Sequence, residues 1–254
     1  MAADHQQHRN QVRDWYSTGH ELQRWGTVEG GICGAEAELL QRHMARPGRV
    51  LNVGCGGGRE ALPLAQMGHE VVALDLMPQF LCMARDATRE ACGGLSLIQA
   101  DALSIPFADC SFDYVVMVGQ LIDQINRREQ RLDCLRGLAR LLRPGGLLLA
   151  STNNIESRLR FRAFFGIINL LRRVYNPRGL EPDDAHVFHV DGRWALLRPR
   201  SERPLHHWYR PALFVRDLAQ AGFEQLELLP CDQSQHAERG TGCSEIFYVA
   251  KRGT

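Results

Sequence analysis

The sequence predicts a doubly wound α/β domain, a mainly parallel seven-stranded sheet wrapped by helices, with a helical N-terminal flap and an insertion after the fifth strand. Two observations carry this expectation. From Arg49 onward, short apolar runs of strand length alternate with amphipathic segments of helix length. The first run feeds directly into a turn crowded with glycine, Gly54-Cys55-Gly56-Gly57-Gly58, which is where a parallel sheet of this kind meets a ligand. A third observation sets the scale. The 254 residues, 44% hydrophobic and 23% charged, suit one folded domain with insertions and lie far from disordered compositions.

Each element has its own justification. Residues 1–48 read as a helix-rich extension holding Trp15, Tyr16 and Trp25, broken at Gly30-Gly31 and resumed over 35–44, whose simplest role is a flap over one edge of the sheet. The domain proper is expected over 49–254. Its strands fall at 49–53, 71–76, 95–100, 113–118 and 146–151, each a short run rich in Val, Leu and Ile. Helices are expected at 60–66, at 78–91, which Pro78 opens, and at 128–142, which Arg143-Pro144-Gly145-Gly146 stops. Residues 152–209 form the insertion. Within it Phe161, Phe164, Phe165, Ile168 and Leu171 recur at helical spacing over 159–174 and read as a lid over the substrate cleft. Arginines across 158–173 make weak membrane-surface contact the rival reading. A polar stretch with Asp183-Asp184 and four histidines follows. From Pro211 a helix runs to Ala221 and turns at Gly222, and strands at 223–229 and 243–250 add an antiparallel edge.

Composition narrows the chemistry. Thirty basic against 29 acidic side chains leave a net charge of +1, which argues against a broadly basic nucleic-acid surface. Only Lys251 is lysine, so lysine nucleophiles and Schiff bases are nearly excluded. Eight scattered cysteines with no C-x-x-C pair read as reduced thiols, and a polar N-terminus without a long apolar run points to a cytoplasmic protein.

The glycine turn is the strongest local signal. Glycine lets a ligand lie against bare backbone, and the helix that follows presents unpaired N–H groups, so a nucleotide-like ligand is implied. A dinucleotide fingerprint would need glycine at position 59, where Arg59 stands; the spacing is G-x-G-x-G through Gly54, Gly56 and Gly58. The second strand ends in Asp75, seventeen residues after Gly58, where a carboxylate accepts hydrogen bonds from vicinal ribose hydroxyls. The third strand ends at Asp101-Ala102, placing a second carboxylate within reach of an adenine amino group.

These motifs, with Leu141-Leu142-Arg143-Pro144-Gly145-Gly146 closing them, resemble the class I S-adenosylmethionine-dependent methyltransferases over residues 49–151, a Rossmann-like family. The resemblance implies S-adenosyl-L-methionine as cofactor. It implies that Gly54, Cys55, Gly56 and Gly58 pass under the methionine and ribose, that Asp75 holds the ribose and that Leu76 packs on the adenine. Asp101 and Ala102 would read the amino edge, while Val118 and Gly119 would line the methionyl amine. One position departs. The family often carries Asp or Glu two residues before the first glycine, and here Asn52 offers no charge to a cofactor ammonium.

Methyl transfer is an in-line displacement that depends chiefly on holding a nucleophile against the sulfonium methyl. The acceptor site should lie beyond strands four and five, at Gly119 to Asp123 and Thr152 to Asn154, with Asn153 facing the methyl. In His206-His207-Trp208-Tyr209, His207 is the candidate base and Tyr209 the candidate orienter of the acceptor. No metal is expected, because Asp123, Asn153 and Asn154 contain a single acid and the histidines are dispersed. The region after strand four, Val118-Gly119-Gln120-Leu121, lacks the Asn/Asp-Pro-Pro-aromatic motif and the cysteine of nucleic-acid methylating enzymes. The function implied is methylation of an oxygen or nitrogen on a small organic molecule. An RNA methyltransferase and a non-catalytic adenosyl-binding subunit are the alternatives.

Overall fold

The computed structural model describes residues 2–28, 31–89, 95–125, 127–157, 159–175, 185–187, 189–190, 193–194, 206–231 and 244–253. Gly30, the expected helix end at 90–91, Arg158, Asp183-Asp184 and Cys243 lie outside them. In chain order the elements are α1 (Ala2–Tyr16), α2 (Gly19–Trp25), α3 (Gly34–His43), β1 (Arg49–Val53), α4 (Ala61–Gln66), β2 (Glu70–Asp75), α5 (Pro78–Ala87), β3 (Leu95–Gln99) and β4 (Phe112–Met117). After a single 3₁₀ turn at Ile122–Gln124 come α6 (Arg128–Leu141), β5 (Leu142–Asn153) and α7 (Leu159–Val174). Four short strands follow, β6 (Ala185–Val187), β7 (His189–Val190), β8 (Arg193–Trp194) and β9 (His206–Trp208), then α8 (Pro211–Gln220), β10 (Phe223–Pro230) and β11 (Glu245–Arg252).

The main sheet has seven strands in the order β10-β11-β5-β4-β1-β2-β3. Strands β1 to β5 pair in parallel, and β11 runs antiparallel to both β5 and β10. Alternation along each strand feeds two cores, as a sheet covered on both faces requires. Leu51 and Val53 of β1 join Val115 and Met117 of β4 against Leu135 and Leu138 of α6 and Phe214 and Leu218 of α8. Val50, Val71 and Val116 face the other way, onto Leu39 and Leu40 of α3 and Leu64 of α4. The chain steps outward from β1 through β2 to β3 and then returns to β4 on the other side of β1. A crevice therefore opens at the carboxyl ends of β1 and β4, where the winding reverses.

Three features differ from the sequence reading. The Pro144-Gly145-Gly146 run does not separate α6 from the fifth strand. Leu142 already pairs with Phe112, and the register then jumps to Tyr114 opposite Leu147, so the run is absorbed as a bulge within β5. The N-terminal extension does not lie along a sheet edge. Tyr16 of α1 packs edge-on against Phe80 of α5, their ring centroids 6.2 Å apart, which carries α1 and α2 across the carboxyl ends of the strands. Finally, α7 presents Leu159, Ile167, Leu170, Leu171 and Val174 to the surface, and Phe164 is half-buried. The side chains of Phe161, Phe165 and Ile168 lie outside the described residues.

Candidate active site

The crevice is a cavity with about 1170 Å³ of empty space, its open mouth included. Its floor is made by the residues that end four strands: Gly54, Cys55 and Gly56 after β1, Asp75 and Leu76 at β2, Asp101 and Ala102 after β3, and Val118 and Gly119 after β4. The glycines leave space that no side chain could share. Gly54 has φ +71°, and a Cβ there would stand 2.7 Å from Leu121. A Cβ on Gly57 would meet the backbone oxygen of Gly26 at 2.1 Å, because the end of α2 is laid against the turn and the Gly57 N–H donates to the Trp25 carbonyl at 2.8 Å. Gly58 does not line the cavity; it lies against Ala84 of α5 and Thr88 just beyond its end, allowing turn and helix to approach.

Asp75 is buried, and its carboxylate accepts main-chain bonds, Oδ1 from the Met77 N–H at 2.8 Å and Oδ2 from the Gly56 N–H at 3.0 Å, with the Leu76 N–H adding to them. Burial raises its pKa, and the N–H donors act against that rise. A carboxylate has about four acceptor sites, so capacity remains for a donor from the cavity. Asp101 is held likewise, Oδ1 accepting from the Leu103 N–H at 2.9 Å, while Arg9 of α1 reaches 3.1 Å from its Oδ2 as an ion pair. Arg9, Val12, Tyr16, Arg24 and Trp25 complete the wall, so α1 and α2 roof the cavity. Trp25 is fixed by its indole N–H, which donates to Glu21 at 2.9 Å, and burial pushes the Tyr16 phenol pKa well up.

Beyond β4 the backbone enters the left-handed region twice, at Gly119 (φ +66°) and at Gln120 (φ +62°). For glutamine that conformation is strained and needs support. Its N–H donates to Ser151 Oγ at 3.3 Å, and its side-chain oxygen accepts from Asn153 Nδ2 at 3.0 Å. Asn153 in turn donates its N–H to Asp123 Oδ2 at 2.7 Å, and Asp123 is fully buried, its pKa pushed far up by that burial. Glu245, at the start of β11, accepts from Ser151 and from Gln120, and burial raises its pKa. Glu36, Arg59 and Glu60 form a second polar cluster beside the glycine turn, Arg59 Nη1 donating to Glu36 Oε2 at 2.8 Å and pairing also with Glu60.

Nine of the ten residues expected to hold the cofactor thus border one cavity, with Gly58 behind it. That space fits an adenosyl group, since the glycine backbone leaves room for a ring system and Asp75 keeps acceptor capacity beside it. The three expected catalytic residues are placed differently, and none of them lines the cavity. His207 is 1% exposed, and its ring lies 4.2 Å from that of Tyr209. Tyr209 is buried, its hydroxyl accepting from Arg131 Nε at 2.7 Å and its ring packed on Phe214. An aromatic pair closing the end of a sheet satisfies the same sequence pattern as a substrate-facing pair. Asn153 supports the Gln120 loop from below instead of facing the cavity. Arg9, Tyr16, Trp25, Arg59, Glu60 and Gln124 border the cavity without having been singled out as site residues. The Arg59-Glu60 pair was legible as two charges set between a glycine turn and an apolar helix, whereas α1 and α2 carry no motif.

Among the described residues no group of three His, Cys, Asp or Glu side chains is disposed to hold a metal ion, and no helix is long and apolar enough to cross a membrane. Residues 50–146 match the family model described as a methyltransferase domain. The chain is 31% identical over 167 residues to a protein of Encephalitozoon cuniculi named as a methyltransferase, covering 65% of this chain and 73% of that one. It is 32% identical over 158 residues to the ubiquinone biosynthesis O-methyltransferase of Agrobacterium fabrum, covering 62% of this chain but 57% of that enzyme. Among solved structures, the Burkholderia thailandensis 1,6-didemethyltoxoflavin-N1-methyltransferase, with its acceptor and S-adenosylhomocysteine bound, shares the fold at TM-score 0.62 and 17% identity. That match covers 97% of this chain and 87% of the other.

Proposed function

The chain belongs to the class I S-adenosylmethionine-dependent methyltransferases, and on that premise we propose that it methylates an oxygen or nitrogen nucleophile of a small organic molecule. The observation that carries this reading is the roof. With α1 and α2 laid across the strand ends, and Trp25 bonded to the glycine turn, the cavity admits a compact acceptor more readily than a folded macromolecule. Relatives named as O-methyltransferases add support for oxygen as the nucleophile.

The cofactor, when bound, supplies the activated methyl. The protein's part is binding, orientation and exclusion of water. Asp75 is assigned to the ribose hydroxyls, with Gly54, Cys55 and Gly56 beneath the cofactor and Gly58 keeping the turn against α5. Leu76 and Ala102 are assigned to the adenine, Asp101 to its amino edge, and Val118 and Gly119 to the methionyl side. Gln120, braced by Ser151 and Asn153, shapes the start of the acceptor side. His207 and Tyr209 act as support for this rim, not as base and orienter. Residues 49–254 are assigned to the methyltransferase domain, with α1 and α2 of the 1–48 extension covering the cofactor and 152–209 as the insertion assigned to the acceptor.

The test incubates the protein with methyl-labelled S-adenosylmethionine and a panel of phenols, hydroxy acids and amines, and separately with RNA and protein extracts. A small-molecule product carrying the label in one added methyl group, formed with equimolar S-adenosylhomocysteine, is the expected result. Label appearing only in macromolecules overturns the reading.

A further inference from the structure

Three carboxylates converge on one guanidinium where the glycine turn enters α4. Arg59 donates to Glu36 at 2.8 Å and pairs with Glu60, and Glu245 lies close enough to act on all three electrostatically. Glu36 is 0% and Glu60 4% exposed. Among the described residues the other donors to the cluster are neutral: the Cys33 N–H to Glu36 at 3.3 Å, a main-chain N–H to Glu60, and Ser151 and Gln120 to Glu245. Among the described residues one guanidinium therefore faces three carboxyl groups, two of them almost wholly buried, where an unpaired charge is costly. A second, independent observation points the same way. Among the described residues Glu36 Oε1, within a fully buried side chain, has no hydrogen-bond partner, so the cluster has acceptor capacity left for a further donor.

The missing cation has a direction of approach. Arg59 and Glu60 both border the cavity, on the same wall as Gly54, Cys55 and Gly56. Among the described residues no group of three His, Cys, Asp or Glu side chains is disposed to hold a metal ion, and an ammonium is the cation that the assigned cofactor would bring to this wall. At the end of β1, Asn52 is buried and neutral, its Oδ1 without a partner and its Nδ2 only 3.5 Å from the Val116 carbonyl, so it brings no charge to this wall.

We infer that Glu60, from the start of α4, binds the α-ammonium of the cofactor's methionyl end, supplying the charge compensation that Asn52 does not. This rests on the assignment of the cavity to the cofactor. Burial raises the pKa values of Glu36 and Glu60, helped by repulsion from Glu60 at Glu36 and from Glu245 at both, and a bound ammonium would offset that rise. Arg59 then holds the side chains of Glu36 and Glu60 in place and keeps the empty site from full repulsion.

The test is a ligand-by-residue cycle read by calorimetric titration of the full chain. The ligands are S-adenosylhomocysteine and its deaminated analogue S-adenosyl-4-thiobutyrate; the proteins are wild type and Glu60→Gln. Wild type should bind the deaminated analogue at least tenfold more weakly. Glu60→Gln should weaken S-adenosylhomocysteine by a similar factor and leave the deaminated analogue within twofold of its wild-type affinity. Equal losses on both ligands, or none on either, overturn the inference. Wild-type protein that binds neither ligand overturns the cavity assignment as well, which separates the two failures. Should Glu60→Gln not fold, Glu60→Asp withdraws the carboxylate by one methylene while keeping its charge. The same selective loss is then expected, and a parallel loss on both ligands counts against the inference.

Discussion

Replacing Asp75 by alanine separates what this residue does for the fold from what it does for the cofactor. The carboxylate is buried and accepts the Met77 N–H at 2.8 Å and the Gly56 N–H at 3.0 Å. Asp75→Ala strands both donors. Each unsatisfied buried donor costs about 1–3 kcal/mol, but Gly56 borders the cavity and can be rehydrated, so a total near 2–3 kcal/mol is expected. At about 2–4 °C per kcal/mol for a chain of this size, the melting temperature should fall by roughly 5–10 °C. With Asp75 assigned to the ribose as proposed, up to two charge-assisted bonds to its hydroxyls would also be lost, worth about 1.5–3 kcal/mol each before water replaces them. Affinity for S-adenosylhomocysteine should therefore drop by about two orders of magnitude. Asp75→Asn should do little better, because one of the two N–H groups would then face the amide NH2. Thermal melts and calorimetric titration read the two effects apart. A folded Asp75→Ala protein that binds within threefold of wild type would remove Asp75 from the ribose and refute the placement of the cofactor.

Three further outcomes follow from the same geometry. Gly57→Ala puts a methyl 2.1 Å from the Gly26 oxygen, backbone against backbone, so the end of α2 must lift. Loss of S-adenosylhomocysteine affinity and faster proteolysis within residues 1–28 are expected, and unchanged values for both would show that the roof does not matter. Tyr209→Phe removes the acceptor of the fully buried Arg131 Nε, so the protein should melt several degrees lower while kcat/KM for the acceptor stays within about twofold. A large kcat loss without a stability change would return Tyr209 to the acceptor site. The Glu36 carboxyl is pushed up to about 8 by burial and by Glu60, from an ordinary value of 4.5. Between those values the folded protein holds a proton that the unfolded chain has released, so its contribution to stability is full at acid pH and is lost as pH rises through 8. Melting temperature should fall more steeply from pH 5 to pH 9 in wild type than in Glu36→Gln, and parallel slopes would rule the effect out.

Much of the cavity floor was legible because it depends on local backbone chemistry. Gly54 and Gly56 adopt positive φ where glycine is favoured, and Asp75 and Asp101 stand where their strands end. Strand ends are set by short-range pattern, so their spacing along the chain survives folding into proximity. The His207–Tyr209 pair shows where such reading stops. Polar aromatics before a helix fit a substrate wall and a buried rim equally well, and only burial with the Arg131 bond separates the two. Gln120 carried no mark of strain, because its φ of +62° is imposed by what Ser151 and Asn153 hold in place.

By itself the sequence determined the alternation of strands and helices, the glycine turn and the acids at the strand ends. Hydrophobic period, glycine conformation and strand length are properties of neighbouring residues. The tertiary structure decided which charges meet. Glu36, Arg59 and Glu245 are far apart along the chain, and Arg9 reaches Asp101 from another helix. The roof over the cavity and the acid cluster beside the glycine turn arise from packing between distant segments, whose electrostatic consequences appear only once water has been excluded from between them.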